Sequence, residues 1–294
     1  MRQRIISILL ALTVLLSLSS CTGKSNSTFS IEFIDVGQGD AALVECDGKR
    51  MLIDGGDKSA GDKIYKMLEN EGIQHLDILA ISHLHADHIG GLAKVLTYVS
   101  SIDLTLANSD YSETDTFKEF EGELRTNKSE IKIPQVGEKF PLGSATVEVV
   151  DTRAEKNNDS LVLLITYGKT RFLFTGDIEE NMQSRIANKY NTPNIGEKNY
   201  PKKVPCKIDV MKMPHHGSSV SYPFMWTFMP SYAIISVDQK NHPKHPKSET
   251  INMLEEMKTK PERKNRLQEY YRTDLNGNIT VKSNGKKVTI TTSK

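Results

Sequence analysis

The decisive stretch is Ser82-His83-Leu84-His85-Ala86-Asp87-His88-Ile89-Gly90-Gly91, directly after the apolar run 78–81. A short apolar run that ends in turn chemistry reads as a buried strand. Beyond its end, residues i and i+2 share one side of an extended segment, so His83 and His85 can converge on one ion. Asp87 and His88 project from the following turn toward a second. Imidazole with carboxylate suits zinc, manganese or ferrous iron, and Gly90 and Gly91 let a helix begin close to such ions. Of 8 histidines, His75 stands alone, three lie in this stretch, and the others follow as His215-His216, His242 and His245. That clustering separates them from scattered polar loop residues.

Outward from the cluster, strands and helices alternate. Strands are expected at 30–35, 41–46 and 49–53. An amphipathic helix at 62–71 places Ile64, Met67 and Leu68 on one face, with Gly72 as its stop. Helices at 92–99 and 113–124 follow. Further on, strands are expected at 145–150, 161–167 and 171–174, the last two joined at Gly168-Lys169, with others at 208–213 and 233–237. Helices are expected at 178–189 and at 248–258, the second opened by Ser248 as N-cap. The segment 190–207, rich in Asn, Lys and Pro, reads as an exposed loop. The tail from Tyr270 reads as strands with turns at Asn276-Gly277 and Asn284-Gly285. This order suits an α/β domain of two sheets covered by helices on their outer faces, spanning 30–294.

The first residues have a different character. Arg2 and Arg4 precede an apolar run at 5–18, too short to span a bilayer comfortably, which ends in Leu18-Ser19-Ser20-Cys21. That ending resembles a bacterial lipobox. It implies a signal peptide at 1–20, lipidation at Cys21, a flexible tether at 21–29, and a lipid-anchored protein on the extracytoplasmic face of the cell membrane. Cys46 and Cys206 either pair or remain as free buried thiols. With 38 Lys plus Arg against 37 Asp plus Glu, net charge singles out no partner, so any basic surface is local. Two lysine groups stand out: Lys189, Lys198, Lys202, Lys203, Lys207 and Lys212 in and beside the 190–207 loop, and Lys240, Lys244 and Lys247. Each is either a solvated surface or a face for a phosphate backbone.

The H-x-H-x-D-H stretch resembles the signature of the metallo-β-lactamase superfamily. Phe33-Ile34-Asp35-Val36-Gly37-Gln38-Gly39-Asp40-Ala41, Leu52-Ile53-Asp54-Gly55-Gly56, Asn157-Asn158-Asp159-Ser160-Leu161-Val162, Phe174-Thr175-Gly176-Asp177 and Pro214-His215-His216-Gly217-Ser218 resemble, in order, the motifs of its ComEC-like branch. So does the segment from Ser236-Val237 through Asn241 to His245-Pro246, with Asp238 where that branch has glycine. The resemblance runs from about 30 to 290. It implies an αββα sandwich, and it is to the lactamase-like module of that branch alone.

The resemblance also implies roles. One ion takes His83, His85 and the bridging Asp177, helped by Asn157 or Asp159. The other takes Asp87, His88, Asp177 and one of the His215-His216 pair, with His215 the first choice. The histidine that the superfamily usually supplies between the first cluster and the bridging Asp is absent from this sequence. That oxygen-rich first site favours manganese, with zinc the alternative. Two such ions acidify water and screen a phosphodiester's charge, with Asp87 among the catalytic residues. His245 is a general acid or phosphate contact, or else a structural histidine beside a proline. Ser160 and Ser218 are candidate substrate or metal contacts, together with Asn157. Asp35, Gln38, Asp40 and Asp54 are expected to brace the metal loop. The activity so implied is a phosphodiesterase or nuclease acting outside the cell, with DNA a candidate substrate. A cell-wall phosphorylcholine or teichoic-acid esterase is the alternative enzyme, and a metal- or nucleic-acid-binding lipoprotein the non-enzymatic one. The absent histidine makes a β-lactamase or thioesterase a poorer fit.

Overall fold

A computed structural model of the chain describes residues 28–153, 159–191, 207–259 and 267–294. The first half builds β1 (Phe29–Phe33), β2 (Ala42–Cys46), β3 (Lys49–Ile53), α1 (Gly61–Asn70), β4 (His75–Ile81), α2 (Ala86–Ile89), α3 (Leu92–Leu96), β5 (Ser101–Ala107), α4 (Asp115–Thr126) and β6 (Ile131–Lys132). The second builds β7 (Lys139–Leu142), β8 (Ala145–Asp151), β9 (Val162–Tyr167), β10 (Thr170–Phe174), α5 (Glu180–Asn191), β11 (Val210–Lys212), α6 (Tyr222–Phe228), β12 (Tyr232–Ile235), α7 (Ser248–Thr259) and β13 (Glu269–Arg272). The tail adds α8 (Thr273–Asn276), β14 (Ile279–Ser283) and β15 (Val288–Thr292).

The strands form two sheets, in the orders β15-β14-β1-β2-β3-β4-β5-β6 and β13-β12-β11-β10-β9-β8-β7. Period-2 alternation decides how they face. Along β1, Phe29, Ile31 and Phe33 point inward, and Phe29 stacks on Phe172 at 4.7 Å while Phe33 stacks on Phe174 at 5.5 Å. β4 is buried on both faces: Ile78 and Ala80 join the core between the sheets, while Leu79 and Ile81 pack under Ile64, Leu68, Leu92 and Phe120 of the helical layer. The second sheet repeats this with Met182, Phe224 and Leu254 on its outer face. The expected αββα architecture is therefore what forms.

Parallel pairs β3–β4–β5 in one sheet and β10–β11–β12–β13 in the other bring the carboxyl ends of β4, β10, β11 and β12 to one edge. Crevices outside the carboxyl ends of parallel strands are where α/β folds bind ligands. The pattern at 101–107 is weak because Asp103 and Thr105 interrupt it, yet pairing with β4 makes it a strand. The expected signal peptide and the expected lipidation at Cys21, together with Cys206, Asn157, Lys198, Lys202 and Lys203, lie outside the described residues. Among those described, no helix is long and apolar enough to cross a membrane.

Candidate metal centre and its cleft

β4 stops at Ile81, and the backbone N–H of Ser82 donates to Asp54 Oδ1 at 2.7 Å. His85 is still extended, and the chain then turns into α2, which carries Asp87 in its first turn and His88 beyond it. The Asp35–Asp40 loop is laced to that turn. Asp40 N–H donates to Asp87 O at 3.2 Å, and Gly55 N–H donates to His88 O at 2.7 Å. Gly39 has φ +117°, and a Cβ there would lie 2.1 Å from Asp87 O. Only glycine permits both the angle and the approach.

On the facing sheet, Asp177 follows β10 and the His215-His216 pair follows β11. Both histidines are left-handed, with φ of 44° and 52°, an uncommon conformation for residues that carry a Cβ. Such outliers cluster at functional sites. The turn sends the two rings in different directions. His216 is buried, with Nδ1–H donating to Ser236 O at 2.9 Å, while His215 is partly exposed beside Glu179.

Ligand atoms of Asp87, His88, Asp177 and His216 converge within 4.8 Å of one another. Asp177 Oδ2 lies 3.3 Å from His88 Nε2, 3.4 Å from His216 Nε2, 3.7 Å from His215 Nε2 and 3.9 Å from His83 Nε2. His216 Nε2 is 3.3 Å from Asp87 Oδ2. Two ligands each about 2.0–2.1 Å from one tetrahedral ion stand about 3.3 Å apart, so these spacings suit a shared ion. The Nε2 atoms of His83, His88 and His216 and Oδ1 of Asp177 are buried without a hydrogen bond, which is costly for polar groups that have no other partner. The donor set therefore fits a divalent cation, with Asp177 at its centre. His85 packs its ring 4.5 Å from that of His83, and neither residue belongs to the four-residue cluster. Of the pair left open by the sequence, His216 and not His215 belongs to the four-residue cluster, because the left-handed turn directs it inward.

Behind the ligands lies a layer that orients them. The His88 Nδ1–H donates to Asp54 Oδ2 at 3.0 Å, and Ser82 Oγ is 3.1 Å from both His83 Nδ1 and His88 Nδ1. Ser160 Oγ accepts from Asp177 N–H at 2.9 Å and approaches His83 Nδ1 at 3.5 Å. Ser160 is fully buried and supports the ligands from behind. Asp159 is also buried, its carbonyl accepting from Asn108. Asp40 approaches His216 Nδ1 at 3.5 Å. The Asp35 carboxylate pairs with Lys294 Nζ at 2.9 Å.

Lys212 is a correction, and a functional residue that composition alone conceals. The sequence places it beside a loop expected to be exposed, yet its side chain is 3% exposed. Its ammonium pairs with Asp40, stands 3.4 Å from Gly176 O and 3.9 Å from Asp177 Oδ1. A lysine inside an apolar strand, three residues before a histidine pair, was the available signal, since such a charge needs buried partners.

Electrostatics among the protein groups follow from this packing. Burial alone would lower His216, but the Asp177 charge and the close approach of the Asp177 and Asp87 carboxylates push it up to about 9. His88 is likewise opposed by burial and held well above its usual value by Asp177 and Asp54. Burial and the adjacent His88 hold His83 well below the usual range. Asp177 resists burial because His216 and His88 hold its carboxyl well below the usual carboxylate range.

Beside the cluster lies a cleft of about 470 Å³ lined by Glu179, His215, Ser218, Ser219, Lys244 and His245, among others, and His215, with Nε2 3.7 Å from Asp177 Oδ2, links it to the ligand set. Ser218 and His245, both singled out in the sequence, thus share a wall with His215. His242 is exposed.

Comparison with known proteins agrees with the geometry. The chain is 28% identical over 278 residues to ComE operon protein 3 of Bacillus subtilis, covering 86% of this chain and 33% of that protein. It is 30% identical over 261 residues to Recombination protein 2 of Haemophilus influenzae, covering 86% and 29%. Competence protein ComA of Neisseria gonorrhoeae is 27% identical over 223 residues, covering 75% and 28%. The chain thus spans about a third of the length of these relatives, as expected of the ComEC-like branch. Among solved structures, the metallo-β-lactamase fold protein YhfI of Bacillus subtilis superposes with a TM-score of 0.52 at 11% identity, covering 87% of this chain and all of that one; this is a likeness of fold. The model of the metallo-beta-lactamase superfamily matches residues 34–222. With that match, the fold and the convergent ligand set, the chain belongs to the metallo-β-lactamase superfamily, whose members are generally hydrolases.

Proposed function

We propose that this hydrolase is a metal-dependent phosphodiesterase, with a nucleic-acid backbone the favoured substrate. The observation that carries the reading is the ligand cluster centred on Asp177, joined through His215 to a neighbouring cleft with Lys244 on its wall. Divalent cations, when held by His83, His85 and Asp177 and by Asp87, His88, Asp177 and His216, supply Lewis acidity and a water acidified toward neutral pH. The chain's own residues do the rest. Asp54, Ser82, Ser160 and Ser236 fix the rings so that each Nε2 faces inward, and Lys212 offsets part of the carboxylate charge. In the cleft, Lys244 and Lys247 attract a phosphate backbone, while His215, His245 and Ser218 offer polar contacts around the scissile group. Manganese is favoured over zinc by the oxygen-rich His83 side. We place the protein on the extracytoplasmic face of the membrane, a proposal that rests on residues 1–21.

The test is turnover of bis-p-nitrophenyl phosphate, single-stranded DNA and a phosphorylcholine ester under manganese or zinc. Cleavage of the first two, abolished by EDTA and reduced about a hundredfold or more in His85→Ala, is expected. If DNA is the substrate, Lys244→Ala with Lys247→Ala should flatten the salt dependence of binding by about one unit of slope per lost phosphate contact. Folded, metal-loaded protein that hydrolyses only a thioester or a β-lactam would sink the reading, and cleavage of the phosphorylcholine ester without DNA would move the substrate from nucleic acid to the cell wall.

A further inference from the structure

The sequence Asp35-Val36-Gly37-Gln38-Gly39-Asp40 places a nearly buried glutamine between two positive-φ glycines. Gln38 makes two contacts that together have one consistent solution. The backbone N–H of Asp238 points at Gln38 Oε1 at 3.4 Å. That N–H can only donate, so the amide oxygen must face it. The amide nitrogen then faces His245, with Nε2 3.3 Å from His245 Nδ1. An NH₂ group can only donate, so His245 Nδ1 must accept, and in a neutral imidazole the proton is then on the other nitrogen. Asp238, where the family branch has glycine, secures the geometry from the far side. Its carbonyl accepts from His242 N–H at 2.8 Å, and His242 O accepts from His245 N–H at 3.0 Å. Asp238 Oδ1 also accepts from Asn241 N–H at 3.3 Å. His245 lines the cleft, its ring 5.6 Å from that of His215.

We propose that Gln38 is a positioning residue that fixes the tautomer of His245, so that a neutral imidazole turns its Nε2–H toward a phosphoryl oxygen held in the cleft. The role of His245 rests on the phosphodiesterase reading; the tautomer does not. The ring acts as a preorganised hydrogen-bond donor to developing negative charge, and it neither takes up nor gives away a proton. Gln38 itself touches no substrate.

The test uses the full chain, zinc-loaded and labelled with ¹⁵N-histidine, with the His245 signals assigned by their loss in His245→Ala. Long-range proton–nitrogen spectra should show His245 protonated at Nε2 and bare at Nδ1. In the isosteric Gln38→Glu variant the carboxylate can only accept, so Nδ1 should gain a proton. Gln38→Leu should lower kcat on bis-p-nitrophenyl phosphate by about tenfold or more with little change in KM, a loss on the scale of a misaligned donor. Added to His245→Ala, it should cost nothing further, because both changes remove one interaction. A wild-type ring protonated at Nδ1, unaltered Nδ1 in Gln38→Glu, or additive losses in the double variant would each overturn the proposal. The spectra need no substrate, so they judge the tautomer even if no phosphodiester is cleaved.

Discussion

Asp177 is the residue on which both halves of the cluster converge, with imidazole nitrogens of His83, His88, His215 and His216 within 3.9 Å of one oxygen. Asp177→Ala should lose both ions, since two like charges close together need the shared carboxylate; elemental analysis showing two ions per chain in that variant would refute the assignment. The protonation of the ligands leads to a second expectation. His216, at about 9, and His88, above its usual value, carry protons at neutral pH before a cation arrives. Metal binding must expel them, so affinity should weaken as pH falls below about 9. Calorimetry at pH 7 in buffers of different ionisation enthalpy should show proton release, and a heat independent of buffer would contradict it. The same raised values stabilise EDTA-treated protein below the unfolded histidine value of about 6.5. That stabilisation should disappear as pH rises through about 9, visible as a falling Tm. Lys212 supplies the third test. Lys212→Met leaves Asp40 buried without its cation and should cost about 3–5 kcal/mol, measured by urea unfolding, whereas pairing it with Asp40→Asn should recover much of the loss. A single variant as stable as the parent would show that the pair carries no weight.

Between elements, the critical joint is the seam where the Asp35–Asp40 loop meets α2. Gly39→Ala would put a methyl group 2.1 Å from Asp87 O at φ +117°, forcing the two apart. Metal stoichiometry should fall while the far-UV signal of the sheets persists; a variant that keeps full metal content would show the seam to be forgiving. This seam also marks how far the sequence could be read. His83, His85, Asp87 and His88 were legible because their spacing follows from a strand end and one helical turn. So were the alternation in β1 and the unbroken apolar run of β4, buried on both faces. What escaped was set by partners distant in sequence. β5 is a strand because β4 lies beside it, and the choice between His215 and His216 depends on two backbone angles that residue type does not reveal. Lys212 looked like a surface lysine until Asp40, 172 positions earlier, was seen to be its partner. Asp35 pairs with Lys294, 259 positions away, a contact that no local motif reveals.

Across the molecule, the ligands are divided between the sheets: His83, His85, Asp87 and His88 come from the first half, Asp177 and His216 from the second. Cations bound there would tie the two layers, so saturating metal at a hundredfold over Kd should add about 2.7 kcal/mol per ion to global stability. The first sheet has a further property. β1 pairs on one side with β2, its near neighbour, and on the other with β14, Phe29 lying opposite Ser283. A strand formed among the earliest residues therefore waits for some of the last before both its edges are filled. Such long loops close slowly, because their entropy must be given up before the pairing rewards it. Until then an apolar, well-formed edge is open to any other extended chain. Aggregation during synthesis, more than stability once folded, is thus the hazard this topology imposes, and a chain cut short before Ile279 would never escape it.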